Sequence, residues 1–341
     1  MAANQGNASG QGYLGDCYYF GNGAVQDYTK AFEWYTRSAS QGNPNGQSGL
    51  GLCYYSGSGV SQDYVQAFRL FTKSANKGNV FGQHALGRCY YSGNGVDRNY
   101  SKAVEWFTKA ANQGHASSQD DLGDCCYHGN GVDQDYSEAF EWYSKSAKQG
   151  NASGQNGLGL CYEYGYGVAQ SWTQAFEWYT KAAQQGNAVA QVNLGLCYYN
   201  GTGIDREYSK AVEWFTKAAN QGNSYGQDNL AECYYTGNGV DQDYARAVEW
   251  YSRSANQGSP DAQNNLGTCY YNGSGVSRDP VKAVEWYIKA AHQGNANAQF
   301  NLGLCYQLGQ GAAKNGETAR YWLQLAADQG HTQAQDKLDE F

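Results

Sequence analysis

The stretch Asn187-Ala-Val-Ala-Gln-Val-Asn-Leu-Gly-Leu-Cys-Tyr-Tyr199 decides the fold, because it returns 36 residues later as Asn223-Ser-Tyr-Gly-Gln-Asp-Asn-Leu-Ala-Glu-Cys-Tyr-Tyr235. Within it Ala190, Leu194, Cys197 and Tyr198 recur at helical spacing and share one side of a helix, helix A. After the loop Gly201-Thr-Gly-Ile204, the run from Tyr208 to Asn220 carries a second apolar stripe of Ala211, Trp214, Phe215, Ala218 and Ala219, which predicts helix B.

The same register runs through the whole chain. Nine of the ten cysteines, from Cys17 to Cys305, stand 36 residues apart, as do the leucines from Leu14 to Leu338 and the alanines from Ala31 to Ala319. A period of this length means stacked helical units, each too small to bury its own apolar face. The expectation is an all-α solenoid over residues 1–341, with nine repeats at 7–42, 43–78, 79–114, 115–150, 151–186, 187–222, 223–258, 259–294 and 295–330, and a terminal half repeat at 331–341.

Helix ends are written in side-chain chemistry. The residue before helix B is Asp27, Asp63, Asn99, Asp135, Ser171, Glu207, Asp243, Asp279 or Asn315, and the residue before helix A is nearly always asparagine, as at Asn7 and Asn187. Short polar side chains of this kind satisfy the free amides of a first helical turn. A glycine such as Gly186 precedes each A cap and suits the left-handed residue that ends a helix. Pro44, Pro260 and Pro280 directly follow caps, where proline is tolerated.

Composition narrows the function. With 31 tyrosines and 9 tryptophans the chain has the aromatics that disordered chains lack. The net charge is −8, and its 23 Lys and Arg residues are dispersed, so no nucleic-acid partner is expected. No apolar run approaches the length of about 18 residues that a membrane span needs, and none is expected to insert. The start Met1-Ala2-Ala3-Asn4-Gln5 shows no signal segment.

The pattern Leu-Gly-x-Cys-Tyr, Gly-x-Gly-Val, an acidic cap, Lys-Ala-x-x-Trp-Tyr/Phe and Gln-Gly, seen from Leu194 to Gly222, resembles the Sel1-like repeat over essentially the whole chain. The tetratricopeptide repeat has a period of about 34 residues and lacks the glycine loop of Gly57-Ser-Gly-Val60. The resemblance implies a right-handed superhelix of helix pairs, with A helices on the concave side and B helices outside. It implies an adaptor or scaffold role; relatives act in membrane-protein degradation, cell-wall synthesis and bacterial contact with host cells. Relatives from oxidising compartments bridge two cysteines per repeat, whereas this chain has one. Equivalent stacked positions lie about 8–10 Å apart, too far for a disulfide. The cysteines are therefore expected to be reduced core residues of a cytoplasmic protein, with secretion left open, and Cys126 beside Cys125 as a candidate exposed thiol.

The chain departs from the pattern at Leu70, at Trp172 and in the ninth loop, Gly309 to Gly316, which is expected to be looser. Glycines Gly10, Gly46, Gly82, Gly154 and Gly226 replace the usual alanine, each at about 0.8–1 kcal/mol. The start matches the tail of a B helix without a polar cap, which suggests a fragment or a stacking surface. The end is polar and cap-like.

Motifs with chemistry are few. The glycine loops lack the lysine and preceding strand of a phosphate cradle, and the five histidines are scattered, His115 and His331 standing at cap positions. No nucleophile, base and orienter occur together, so neither an enzyme, a metal nor a cofactor is expected. Five sequons, at Asn7, Asn99, Asn151, Asn200 and Asn272, read as caps and loop residues.

Two positions on helix A are expected to turn away from the core. The first, two residues after the leucine, varies: Asp16, Leu52, Arg88, Asp124, Leu160, Leu196, Glu232, Thr268, Leu304. The second is a ladder of Tyr19, Tyr55, Tyr91, Tyr127, Tyr199, Tyr235 and Tyr271, broken by Glu163 and Gln307. Exposed tyrosines suit a binding surface. Two readings stay open: the ladder grips an extended peptide, or each tyrosine packs on the next repeat. The site residues are then the seven tyrosines with Arg88, Asp124 and Glu232, the function a scaffold for a protein or peptide partner. The alternative is a structural protein stacking head to tail on itself.

Overall fold

The computed structural model describes residues 2–340; among them are nineteen α-helices, a short 3-10 turn at Ala2–Gln5 and no strand. The fold is an all-α solenoid of helix pairs. The A helices are α1 (Ala8–Phe20), α3 (Pro44–Ser56), α5 (Val80–Ser92), α7 (Ala116–His128), α9 (Ala152–Tyr164), α11 (Ala188–Asn200), α13 (Ser224–Thr236), α15 (Pro260–Asn272) and α17 (Ala296–Leu308). The B helices are α2 (Tyr28–Ser40), α4 (Tyr64–Ala75), α6 (Tyr100–Asn112), α8 (Tyr136–Lys148), α10 (Trp172–Gln184), α12 (Tyr208–Asn220), α14 (Tyr244–Asn256), α16 (Pro280–His292) and α18 (Gly316–Asp328), and α19 (Thr332–Asp339) closes the series. The chain forms two compact units, Met1–Trp178 and Tyr179–Phe341.

Local chemistry sets each boundary. Asn7 Oδ1 accepts from the Gly10 amide at 2.8 Å and Asp27 from the Lys30 amide at 3.0 Å. The imidazoles of His115 and His331 serve the same purpose, each Nδ1 accepting an amide at 3.2 Å. Glu207 departs from this pattern: it makes no cap bond and instead pairs with Lys210 at 2.8 Å. The three prolines stand at the first turns of α3, α15 and α16.

The ninth loop differs from the expectation of looseness. Gly309 and Gly311 take left-handed φ of 71° and 77° like their counterparts, and Asn315 caps α18 through the Thr318 amide at 3.0 Å. The loop geometry rests on its two glycines and the cap, all retained, so the missing valine does not alter it.

Within each unit consecutive A and B helices pack on one another, so that α3, α5 and α7 in the first and α13, α15 and α17 in the second each touch the B helix before and the one after. Neighbouring A helices also touch, α1 with α3, α3 with α5 and α7 with α9 in one unit, α11 with α13 in the other. The loops join repeat to repeat. At Gly59, φ is +74° and a Cβ would lie 2.2 Å from the Tyr28 carbonyl oxygen of the preceding repeat, so only glycine fits. The helix-A glycines have a packing cause: a Cβ at Gly46 would come within 2.3 Å of Ser38 Oγ, which donates to the Ala8 carbonyl at 2.6 Å.

A buried glutamine of helix A joins three helices. Gln119 Nε2 donates to the Ala111 carbonyl of the preceding B helix at 3.1 Å, and its Oε1 accepts from Gln149, just past its own B helix, at 2.7 Å. Gln191 does the same with Ala183 and Gln221, and Gln263 with Ala255 and Gln293. In the second repeat Lys77 stands where the others have glutamine, and Gln47 Oε1 is buried without a partner.

Candidate functional site

The ladder tyrosines are half-buried, every one. Six of the seven rings meet the tyrosine at the start of their own B helix edge-on, as Tyr55 meets Tyr64 at 5.1 Å and Tyr235 meets Tyr244 at 5.0 Å, while the B helix after Tyr271 begins with Pro280. The hydroxyl reaches the next repeat. Asn94, Asn130 and Asn238, each in the following loop, donate to Tyr55, Tyr91 and Tyr199 at 2.8, 3.1 and 2.9 Å. Tyr271 donates to Gln310, and Tyr19 shares a hydrogen bond with Ser56 at 3.2 Å. Tyr127 lies 5.6 Å from the ring of Tyr166. These contacts tie a repeat to its neighbour and leave part of each ring open.

The variable position pairs inward. Asp16, Asp124 and Glu232 accept the hydroxyls of Tyr35, Tyr143 and Tyr251 at 2.7, 2.6 and 2.5 Å, and Thr268 bonds Tyr287 at 3.1 Å. Where the B helix carries Phe71, Phe107, Phe215 or Leu323, this position reads Leu52, Arg88, Leu196 or Leu304. Leu160 with Tyr179 is the exception in sequence. Much of the variation thus answers a residue 19 positions later in the same repeat. Burial and the facing carboxylate hold the Tyr143 and Tyr251 hydroxyls protonated well above the usual range.

Acids collect on A helices. On α7, desolvation and then the charges of Asp124 and Asp121 push Asp120 up to about 8, against the weaker pull of Arg88. Asp121 bonds His84 at 2.8 Å and meets Arg88 at 3.4 Å. Burial, then His84, lowers His115 to about 4, which keeps its capping nitrogen free to accept. On α13, Asp228 is raised to about 7, first by desolvation and then by Asp261 and Glu232, and its Oδ1 is buried without a partner. Most lysines and arginines lie on B helices or in loops, several of them over aromatic rings: Lys109 over Trp106 and Lys217 over Trp214, both at 3.8 Å.

Cys126 is buried, correcting the expectation of an exposed thiol there, because its register position is that of Tyr18, which faces helix B. Cys17 is instead the half-exposed cysteine, and the other nine are buried. Burial pushes the Cys53, Cys125 and Cys126 thiols up to about 12. Among the described residues, no group of three His, Cys, Asp or Glu is arranged to hold a metal, and no helix is long and apolar enough to cross a membrane.

A stripe the sequence reading passed over remains uncovered. Phe20, Phe81 and Tyr164 in one unit, and Val189, Tyr225 and Leu308 in the other, are large, exposed and at the second or thirteenth position of an A helix counted from after the cap. Those positions share one helical face and vary freely from repeat to repeat. Their signal in the sequence is that variation itself, at positions other than the two predicted to face outward.

The pattern of the Sel1 repeat family matches residues 8–43, 44–79, 80–115, 116–151, 152–187, 188–223, 224–259, 260–295 and 296–331. Among solved structures, a protective antigen of uropathogenic Escherichia coli with an SLR fold is 40% identical, with a TM-score of 0.75, over 99% of this chain and 73% of its own. A Sel1 repeat protein from Oxalobacter formigenes is 33% identical, with a TM-score of 0.62, over 90% of this chain and 89% of its own. No curated protein matches the chain.

Proposed function

The chain belongs to the Sel1 repeat family, and on that premise we propose that it is an adaptor whose A-helix face, concave by family resemblance, holds a peptide or protein partner. Proteins of this family are generally scaffolds for protein–protein interaction rather than enzymes. The observation that carries the reading is the uncovered stripe: Phe81 and Tyr225 are 61% and 68% exposed on helices whose other faces are packed. Large apolar side chains left open on one face mark interaction surfaces. The open edges of the ladder tyrosines and the acids of α7 and α13 border that stripe and add polar contacts. The same reading puts the chain in a reducing compartment, which the burial of nine of its ten cysteines as core residues supports.

A photo-crosslinking residue placed at Phe81 or Tyr225, with Trp34 and Trp250 on B helices as controls, tests it in cell extract. The expected outcome is the same partner bands from both A-helix positions and none from the controls. Crosslinks from the controls alone would overturn the reading. Light scattering accompanies it: a constant mass near 37.3 kDa fits an adaptor, whereas mass growing with concentration, or a crosslinked partner that is a second copy, supports head-to-tail assembly instead.

A further inference from the structure

We propose that the cavity between α1, α3 and α5 receives a partner segment that sets a large apolar side chain, aromatic or branched aliphatic, beside a lysine or arginine. The proposal rests on the A-helix reading and gives it a chemical class of ligand.

The cavity holds about 360 Å³. That is the small end of the ~300–1000 Å³ range of ligand pockets, the scale of a side chain and its neighbours. Its walls are Phe20, Leu52 and Phe81, and its floor is the Tyr35 ring. Gly49 keeps the floor open: a Cβ there would lie 2.2 Å from Tyr35 Cε1. One repeat further along, the positions of Asp16, Phe20 and Phe81 read Leu52, Ser56 and Ser117, with neither the carboxylate nor the aromatic walls. The next repeat therefore lacks these features of the site.

Charge chooses the occupant. Asp16 is the only charged residue in the lining. Its Oδ1 accepts from Tyr35 at 2.7 Å, and it joins no ion pair among the described residues. Neither α1 nor α3 contains a lysine or arginine, and Arg88 on α5 already faces Asp121 at 3.4 Å. Through the first nine repeats every other Lys and Arg lies on a B helix or in a loop. An apolar ligand without a cation would cover the carboxylate and leave it unpaired, a state that burial penalises. A ligand with a neighbouring ammonium or guanidinium compensates it and fills the concavity at once.

Random linear heptapeptides displayed on phage, selected against the wild type, Phe81→Ala and Asp16→Asn, test the proposal. Phe81 is largely exposed, so its loss spares the core, and asparagine at 16 keeps an acceptor for Tyr35. Enriched peptides should pair Phe, Trp, Leu or Ile with Lys or Arg within two positions. Their affinity, read by fluorescence anisotropy, should fall about tenfold or more on either variant and weaken with added salt. Enriched peptides that are acidic, or no enrichment at all, would overturn the cavity. Peptides that bind all three proteins alike and crosslink to other A helices would overturn it too, while leaving the A-helix reading in place. Crosslinks to B helices would overturn both.

Discussion

In the sixth repeat Val192 is buried and Leu196 packs on the cluster around Phe215; in the seventh the same three positions are Asp228, Glu232 and Tyr251. The backbone is the same in both, a thirteen-residue A helix followed by a thirteen-residue B helix. The apolar set needs no partners. The polar set needs all of them: Glu232 accepts from the Tyr251 hydroxyl, while Asp228 keeps a buried oxygen unsatisfied and a carboxyl raised to about 7. In a repeat protein, variation on a surface column measures recognition only after variation that answers another column has been taken away. For helix A, that subtraction removes much of the column of Glu232 and leaves the stripe of Phe81 and Tyr225.

The comparison breaks most severely at the loop the two repeats share. Gly239→Ala puts a Cβ 2.4 Å from the Tyr208 carbonyl oxygen at φ +78°, whereas Gly258→Ala meets nothing within 4 Å at φ +98°. The first should cost about 3 kcal/mol and the second about 1 kcal/mol, as measured by chemical denaturation. Asp228→Asn, the residue found at Asn264, sharpens the contrast through pH. A carboxyl raised in the fold binds its proton more tightly there than in the unfolded chain, so its favourable contribution is complete below the ordinary value near 3.8 and is lost as pH rises to about 7. The variant should therefore match wild type at pH 4 and exceed it at pH 8, read by thermal unfolding across pH.

A smaller effect comes from the second repeat, whose glutamine clamp is broken where that of the seventh is intact, Gln257 reaching Gln227 at 2.8 Å. Lys77→Gln gives Gln47 Oε1 a donor and should stabilise by about 1 kcal/mol. The smallest involves no stability change. A thiol reagent added to the native protein should label Cys17 quickly and Cys233, buried with its thiol pushed up to about 12, only on unfolding. Mass spectrometry of the labelled protein checks this.

Caps and prolines were legible in the sequence because each acts on backbone within four residues of itself, and the loop glycines because each takes a left-handed φ that other residues rarely adopt. The period did the rest, since identical units have one way to stack. The fates of the outward positions were harder to read, because their partners are distant in sequence: Tyr35 is 19 residues beyond Asp16, and Asn94 is 39 beyond Tyr55. A helix-A pattern read alone shows which face a residue is on, and only a second helix shows what fills the space opposite. Cys126 illustrates the point. Adjacent cysteines suggest opposite faces, yet neighbours on a helix are about 100° apart, and both positions fall within the wide buried sector between two B helices.

The most direct test of this account is a double-mutant cycle on Glu232 and Tyr251, read by native-state hydrogen exchange of α13 and α14 amides so that the local unit is measured. Glu232→Leu and Tyr251→Phe should each destabilise by about 1–2 kcal/mol, because each leaves a partner unsatisfied. The double variant, a copy of Leu196 and Phe215, should return to within about 0.5 kcal/mol of wild type. Additive losses would contradict the account, because the helix-A residue would then be set by something outside its own repeat.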